Sequence, residues 1–160
     1  MWLELPHLWI GLLNAIGIPA THLGISWAFT KMPLTCFNPD RFPFQKLPGE
    51  SRKTYDLIFR LRAWKQLLPD AGPWFGGFAK KNLHSSDTEF LERFRAETCR
   101  SEAAHWAQVL VIAAFTLWTP WPWALIIIAY AFASNLPCIL LQRQNRLRLT
   151  AIIHRPEATK

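Results

Sequence analysis

The sequence predicts an all-α membrane protein with about three transmembrane helices, a cytoplasmic amphipathic helix and interfacial loops. Three observations carry this expectation. Apolar residues crowd into two regions, 8–29 and 106–141, with a basic, mixed segment between them. Nine Trp and eleven Phe, many of them near the ends of the apolar runs, resemble the aromatic belts of membrane proteins. Of 18 Lys and Arg, 13 lie within residues 31–100 and five follow Leu141, with none before the first apolar run. The mean hydropathy of +0.06 therefore averages a membrane half with a wet half. The 160 residues suit one membrane domain over 1–160. The expected spans are about 8–29, 105–119 and 123–141, with a cytoplasmic or interfacial segment at about 30–104 and a basic tail at 142–160.

The first run carries no formal charge and is long enough to cross a hydrocarbon core of about 30 Å. Met1, Trp2, Leu3 and Glu4 provide no basic region ahead of it, so it reads as a retained span rather than a secretory signal. Gly11, Gly17 and Gly24 allow close helix contact, and Pro19 should kink the helix. Gly11, Asn14, Ile18, Thr21 and His22 share a face expected to pack on other helices, with His22 hydrogen-bonded inside the bundle or touching a ligand.

Pro33, Pro39, Pro43 and Pro48 rule out a regular helix in the next segment, and Phe37, Phe42 and Phe44 would lay it on a membrane surface. Residues 50–68 read as one amphipathic helix carrying Arg62, Trp64 and Lys65. After a stop at residues 68–72, Trp74, Phe75 and Phe78 with Lys80 and Lys81 suit a loop dipping into headgroups, or one packed on the protein itself. Ser86, Asp87, Thr88 and Glu89 form a capping box. No Pro or Gly then interrupts the chain until Pro120, which predicts a helix of about 50 Å that begins in water and ends in lipid. Thr119, Pro120, Trp121 and Pro122 make the turn into the last span, where Pro137 exposes backbone polarity beside Asn135. The charge distribution puts the middle segment and C-terminus in the cytoplasm of a multi-pass inner-membrane protein, and the N-terminus and hairpin turn outside.

Two polar clusters carry possible chemistry. Glu102 and His105 are neighbours on a helix, as are Glu97 and Arg100. A carboxylate beside an imidazole holds one tautomer, so His105 as base with Glu102 as its orienter could deprotonate a hydroxyl for attack on an acyl carbonyl. A structural ion pair closing a helix end fits the same spacing. So does half of a di-metal motif, although that needs a second copy and further carboxylates. Cys99 as nucleophile has no His four residues away. Gln142, Arg143, Asn145, Arg146 and Arg148 form the second cluster. Antiparallel packing brings it to the level of His105, where the arginines suit phosphate or carboxylate, and Gln and Asn suit sugar hydroxyls. Lipid-headgroup anchoring is the plainer reading. Glu97, Arg100, Asn135, Arg62, Trp64 and Lys65 complete the candidate substrate contacts.

Cys36, Cys99 and Cys138 have no metal-ligand spacing, so neither zinc nor a disulfide framework is expected, and Cys36 is at most a weak palmitoylation signal. A net charge of +7 beside apolar spans points to anionic lipid and topology rather than nucleic acid.

Three fragments resemble the small integral-membrane glycosyl-diaponeurosporenoate acyltransferases of carotenoid biosynthesis. They are Arg62, Trp64 and Lys65 with Pro69 and Asp70; Glu97, Thr98, Arg100, Glu102, His105 and Trp106; and Asn135, Pro137, Gln142, Arg143, Asn145, Arg146 and Arg148. Gln144 stands where that family has Tyr, and Leu147 where it has Pro. The resemblance implies transfer of a fatty acyl group from a thioester, acyl-CoA or acyl-carrier protein, to a sugar hydroxyl of a glycosylated lipid or carotenoid, with no further cofactor and with membrane lipids as surroundings. A non-catalytic subunit that binds lipid or stabilises a partner enzyme is the alternative. Metal-dependent lipid modification would need Glu97 or His84 to converge on the site.

Overall fold

The computed structural model describes residues 2–64, 67 and 87–154, and for Arg62 the backbone alone. Five helices and no strands occur among them: α1 (His7–Lys31), α2 (Arg52–Phe59), α3 (Leu61–Trp64), α4 (Thr88–Ala114) and α5 (Trp123–Ile153). The loop expected at residues 68–81, with its aromatics and lysines, lies outside the described residues, as do Lys65, His84 and Ser86.

α1 and α5 are long and apolar enough to cross a membrane. Pro19 and Pro137 are accommodated inside continuous helices. Near Pro137, Ser134 and Asn135 turn their side chains onto the Tyr130 and Ala131 carbonyls at 2.8 and 2.9 Å. The last helix runs on through the basic cluster to Ile153, beyond the span expected over 123–141. The expected long helix is α4 followed by a 3-10 turn at Phe115–Leu117. Its N-cap is Asp87, which accepts the Phe90 N–H at 3.3 Å; the capping box had assigned that role to Ser86.

The expected amphipathic helix over 50–68 is two pieces. α2 starts where Ser51 accepts the Thr54 N–H at 3.1 Å, and it stops at Arg60, whose φ of 49° is left-handed. Trp64 Nε1–H then donates to the Phe59 carbonyl at 2.7 Å, closing the break. Only part of the connector's aromatic set faces outward. Phe42 is 82% exposed, whereas Phe37 is buried between Phe29 and Phe44.

α4 and α5 pack antiparallel over most of their lengths, and α1 lies against α4. Their seam is layered. Ile112, Phe115, Ile127 and Ala131 make an apolar cluster at the hairpin end, and Leu91, Phe94 and Leu149 make another at the far end. Polar side chains occupy the layers between them. The N–H groups of Trp2 and Leu3 donate to the Leu117 carbonyl at 2.8 and 2.9 Å, so the N-terminus and the hairpin turn share one end of the bundle. Leu8, Trp9, Ile16, Leu110, Trp123 and Ile126 are exposed around it, an apolar girdle that fits hydrocarbon.

On α1, Asn14, Ile18 and His22 face the bundle as expected. Asn14 Nδ2 donates to Thr119 Oγ1 at 3.1 Å, and Asn14 Oδ1 accepts from Trp118 Nε1 at 3.0 Å. Of the three glycines, Gly17 alone is a point of close approach. A Cβ there would stand 2.7 Å from the Phe115 ring, while Gly11 and Gly24 have nothing within 4 Å. The Phe115 ring is held by Trp118, with centroids 4.8 Å apart, and cannot retreat cheaply. Gly17→Leu should cost about 1–3 kcal/mol of stability through overpacking, read as a lowered Tm in detergent. Gly11→Leu should leave the Tm unchanged or raised.

Candidate functional site

Midway along the α4–α5 seam, two carboxylates and two arginines meet: Glu50 and Glu102 with Arg143 and Arg146. Glu102, on the inner face of α4, is 2% exposed. Arg143 Nη1 donates to its Oε1 at 2.9 Å, and Arg146 Nη2 donates to its Oε2. Arg143 is shared. Its Nε and Nη2 also donate to Glu50 Oε1 and Oε2 at 2.8 and 3.1 Å, and Nη2 reaches the Gln45 carbonyl at 3.3 Å. Arg146 Nη1 lies 3.4 Å from Thr98 Oγ1 and 3.5 Å from Cys99 Sγ, and its guanidinium carbon lies 5.8 Å from the Phe44 ring centroid. The connector is thereby strapped across the two arginines by Glu50 and Phe44. Asp40, on the same segment, pairs with the buried Arg95.

Glu50 is set by a second shell of donors. The Tyr55 hydroxyl donates to Oε1 and the Leu47 N–H to Oε2, the latter at 2.8 Å. Burial alone would raise its pKa, but the bonds from Arg143, Tyr55 and Leu47 outweigh that and bring it from 4.5 down to about 2. Burial, and then the Glu50 carboxylate, push Tyr55 up from 10.0 to about 12.

His105 lies one turn along α4 from Glu102. Its Nδ1 is 2.9 Å from Asn135 Oδ1. The Asn135 amide donates through Nδ2 to the Ala131 carbonyl at 2.9 Å and to Ser134 Oγ at 3.1 Å, which leaves Oδ1 as acceptor. Nδ1 of His105 is therefore the protonated nitrogen, and the basic lone pair is on Nε2. The pairing read from spacing is thus redistributed: Asn135 sets the tautomer, and both Glu102 oxygens are taken by arginines.

Other candidates serve elsewhere. Arg100 Nη2 lies 2.8 Å from both Glu97 oxygens, and its Nη1 donates to the Thr30 and Met32 carbonyls at 3.2 Å, placing a cation at the C-terminus of α1. Trp64 closes the α2–α3 break, and Asn145 is half-buried on α5. Gln142 is buried on the seam. Gln144, at the position where Tyr was the family expectation, donates to Asp56 Oδ1 at 2.7 Å and ties α5 to α2. His22 is hydrogen-bonded in the bundle: Nδ1 donates to Gln108 Oε1 at 2.9 Å and Nε2 accepts from Tyr130 at 3.3 Å. Among the described residues no group of three His, Cys, Asp or Glu could hold a metal ion.

Sequence reasoning missed Glu50 and Tyr55. Ser51 as a helix cap immediately after Glu50 was a local signal for a turn there, but nothing local says where the turn docks.

The helices and the charge-compensated cluster between them define an all-helical protein, two of whose helices could span a membrane, with a polar site between α4 and α5. Residues 33–155 match the model of the glycosyl-4,4'-diaponeurosporenoate acyltransferase family. A relative of that name from Staphylococcus haemolyticus (strain JCSC1435) is 28% identical over 142 residues, covering 88% of this chain and 82% of its own. One of the same name from Staphylococcus aureus (strain USA300) is 29% identical over 133 residues, covering 82% and 80%. No solved structure matches. The chain belongs to this acyltransferase family, as its fragments had suggested.

Two outcomes test the site's energetics. Glu102→Leu leaves Arg146 buried without its carboxylate and should cost about 3–5 kcal/mol in equilibrium unfolding, with Glu102→Leu/Arg146→Leu costing less. The Glu50 contact contributes fully above pH 4.5 and is lost as pH falls toward about 2. The Tyr55 contribution is present below pH 10.0 and lost as pH rises through about 12. Protease cleavage of the connector should accordingly accelerate at both extremes and least between them.

Proposed function

We propose that the protein transfers a fatty acyl group from an acyl thioester, acyl-CoA or acyl-carrier protein, to a sugar hydroxyl of a glycosyl carotenoid at the cytoplasmic face of the cell membrane. The relatives' name supplies the acceptor class. The observation that carries the chemistry is the His105–Asn135 pair, which puts the basic lone pair on Nε2 one turn from Glu102, the carboxylate that Arg143 and the buried Arg146 share.

In this reading the acceptor oxygen attacks the thioester carbonyl as Nε2 of His105 takes its proton. The C–O bond forms, the C–S bond breaks, and the proton passes from His105 to the departing thiolate. Arg143 and Arg146 stabilise the oxyanion or hold a donor phosphate. Glu50, which sits on the connector rather than on a helix, is the partner that an incoming anion displaces. Glu102 keeps the arginines in place throughout. Membrane lipid surrounds the apolar girdle.

The chain crosses the membrane three times, with α4 as the middle span, N-terminus outside and C-terminus cytoplasmic. Arg143 lies about 30 Å along α5 from Trp123, the thickness of a hydrocarbon core. The matching stretch of α4 reaches back to about Thr98, further than the start at about residue 105 read from hydropathy. Neutralisation of Glu102 by Arg143 and Arg146 makes that depth tolerable. The basic segment and tail then share the cytoplasmic side.

In membranes supplied with palmitoyl-CoA and glycosyl-4,4'-diaponeurosporenoate, His105→Ala should lower kcat by about 10²–10⁴-fold. Asn135→Leu, which frees the tautomer, should lower it less. Near-normal transfer by His105→Ala overturns this assignment of the base.

A further inference from the structure

Gln142 holds a buried side-chain oxygen, Oε1, that has no hydrogen-bond partner among the described residues. The residue is 7% exposed. Such atoms are rare in folded proteins, because an unpaired buried acceptor costs its full desolvation. The other described case, Nε of Arg95, belongs to a side chain whose remaining nitrogens are paired with Asp40 and Glu92. Gln142 has no such compensation.

Its position is specific. Ile127, Ala131, Asn135, Ile139, Gln142, Arg146 and Leu149 are buried positions of α5 spaced at three and four residues along one face toward α4, while Gln144 is buried toward α2. On that face Asn135 bonds His105, and Arg146 reaches Glu102. Gln142 lies about 10 Å along the helix from Asn135 and about 6 Å from Arg146. An unpaired acceptor thus shares one seam face with the partner of the base and the anion-stabilising Arg146. Apolar replacement would relieve its desolvation, yet the chain carries an amide there.

We propose that Gln142 Oε1 receives a hydroxyl of the acceptor's sugar, making it the contact that distinguishes a glycosylated acceptor from its aglycone. This rests on the acyltransferase reading above. A hydroxyl donor fits the vacancy in kind, since it satisfies Oε1 and offers its own lone pairs to neighbouring donors. The contact turns a cost of the ligand-free chain into discrimination on binding, because an acceptor without the hydroxyl leaves the oxygen unpaired.

Polyene absorbance reports binding of glycosyl-4,4'-diaponeurosporenoate and of its aglycone to the full chain in phosphatidylglycerol vesicles. Wild type should prefer the glycoside, and Gln142→Leu should reduce that preference about tenfold while leaving aglycone binding unchanged. The same variant should melt at or above the wild-type temperature, since a buried unpaired acceptor is replaced by an apolar group of similar size. An unchanged preference in Gln142→Leu overturns the assignment and leaves a structural water as the partner of Oε1. A lowered Tm overturns it too, by showing the amide to be a structural contact. Failure of the wild type to transfer an acyl group while still binding the glycoside preferentially would sink the catalytic reading and leave this contact standing.

Discussion

The ion pairs from Glu102 to Arg143 and Arg146 tie the rest of the structure together. A carboxylate 2% exposed is tolerable only with cations at its oxygens. Those cations come from successive turns of the antiparallel helix, so pairing sets the register of α4 against α5. The register in turn aligns Ile112 with Ala131 at one end and Leu91 with Leu149 at the other. It also brings His105 opposite Asn135. Sliding the seam by one turn would separate all of these at once.

The same pairs determine where the connector runs. One carboxylate cannot balance two guanidinium groups, and Glu50 supplies the second charge. Around Arg143 and Arg146 stand Glu50 and Glu102, so these charges balance, while Arg100 pairs separately with Glu97 beside the end of α1. The Pro-rich connector becomes a strap across this part of the seam, with Phe37 inward and Phe42 outward.

What could be read in the sequence followed from local rules. Spacing of three residues put Glu102 beside His105, and a short turn between two apolar runs brought Arg143 and Arg146 back to that level. The resemblance to the acyltransferase family rested on these same residues. Contacts that depend on a chain path without periodicity stayed hidden. Glu50 follows four prolines whose turns have no repeating direction, and Arg60 adopts a left-handed conformation that an arginine does not advertise. Pro137 reads as an interruption in the sequence, but one missing N–H removes a single bond from a helix of 31 residues and does not end it. The expected Glu102–His105 pairing was half right for a similar reason. Spacing along one helix identifies neighbours, whereas the partner helix decides which neighbour receives the bond.

Two histidines in this bundle are held in the same tautomer, and their surroundings separate their roles. His22 donates to Gln108 and accepts from Tyr130, so both ring nitrogens are engaged. Gln108 is held in turn by Ser26 and by the His22 carbonyl at 3.0 and 3.3 Å. That closed circuit ties α1 to α4 and α5. His105 has its tautomer set by an amide that is itself pinned to the backbone, and it stands one turn from a carboxylate carrying two arginines. Proton transfer to an imidazole is productive only where the anion formed alongside it is stabilised. The same hydrogen-bond logic therefore closes one histidine into the bundle on the hairpin side of the seam and, on the arginine side, fixes the protonated nitrogen of another beside a charge-paired cluster.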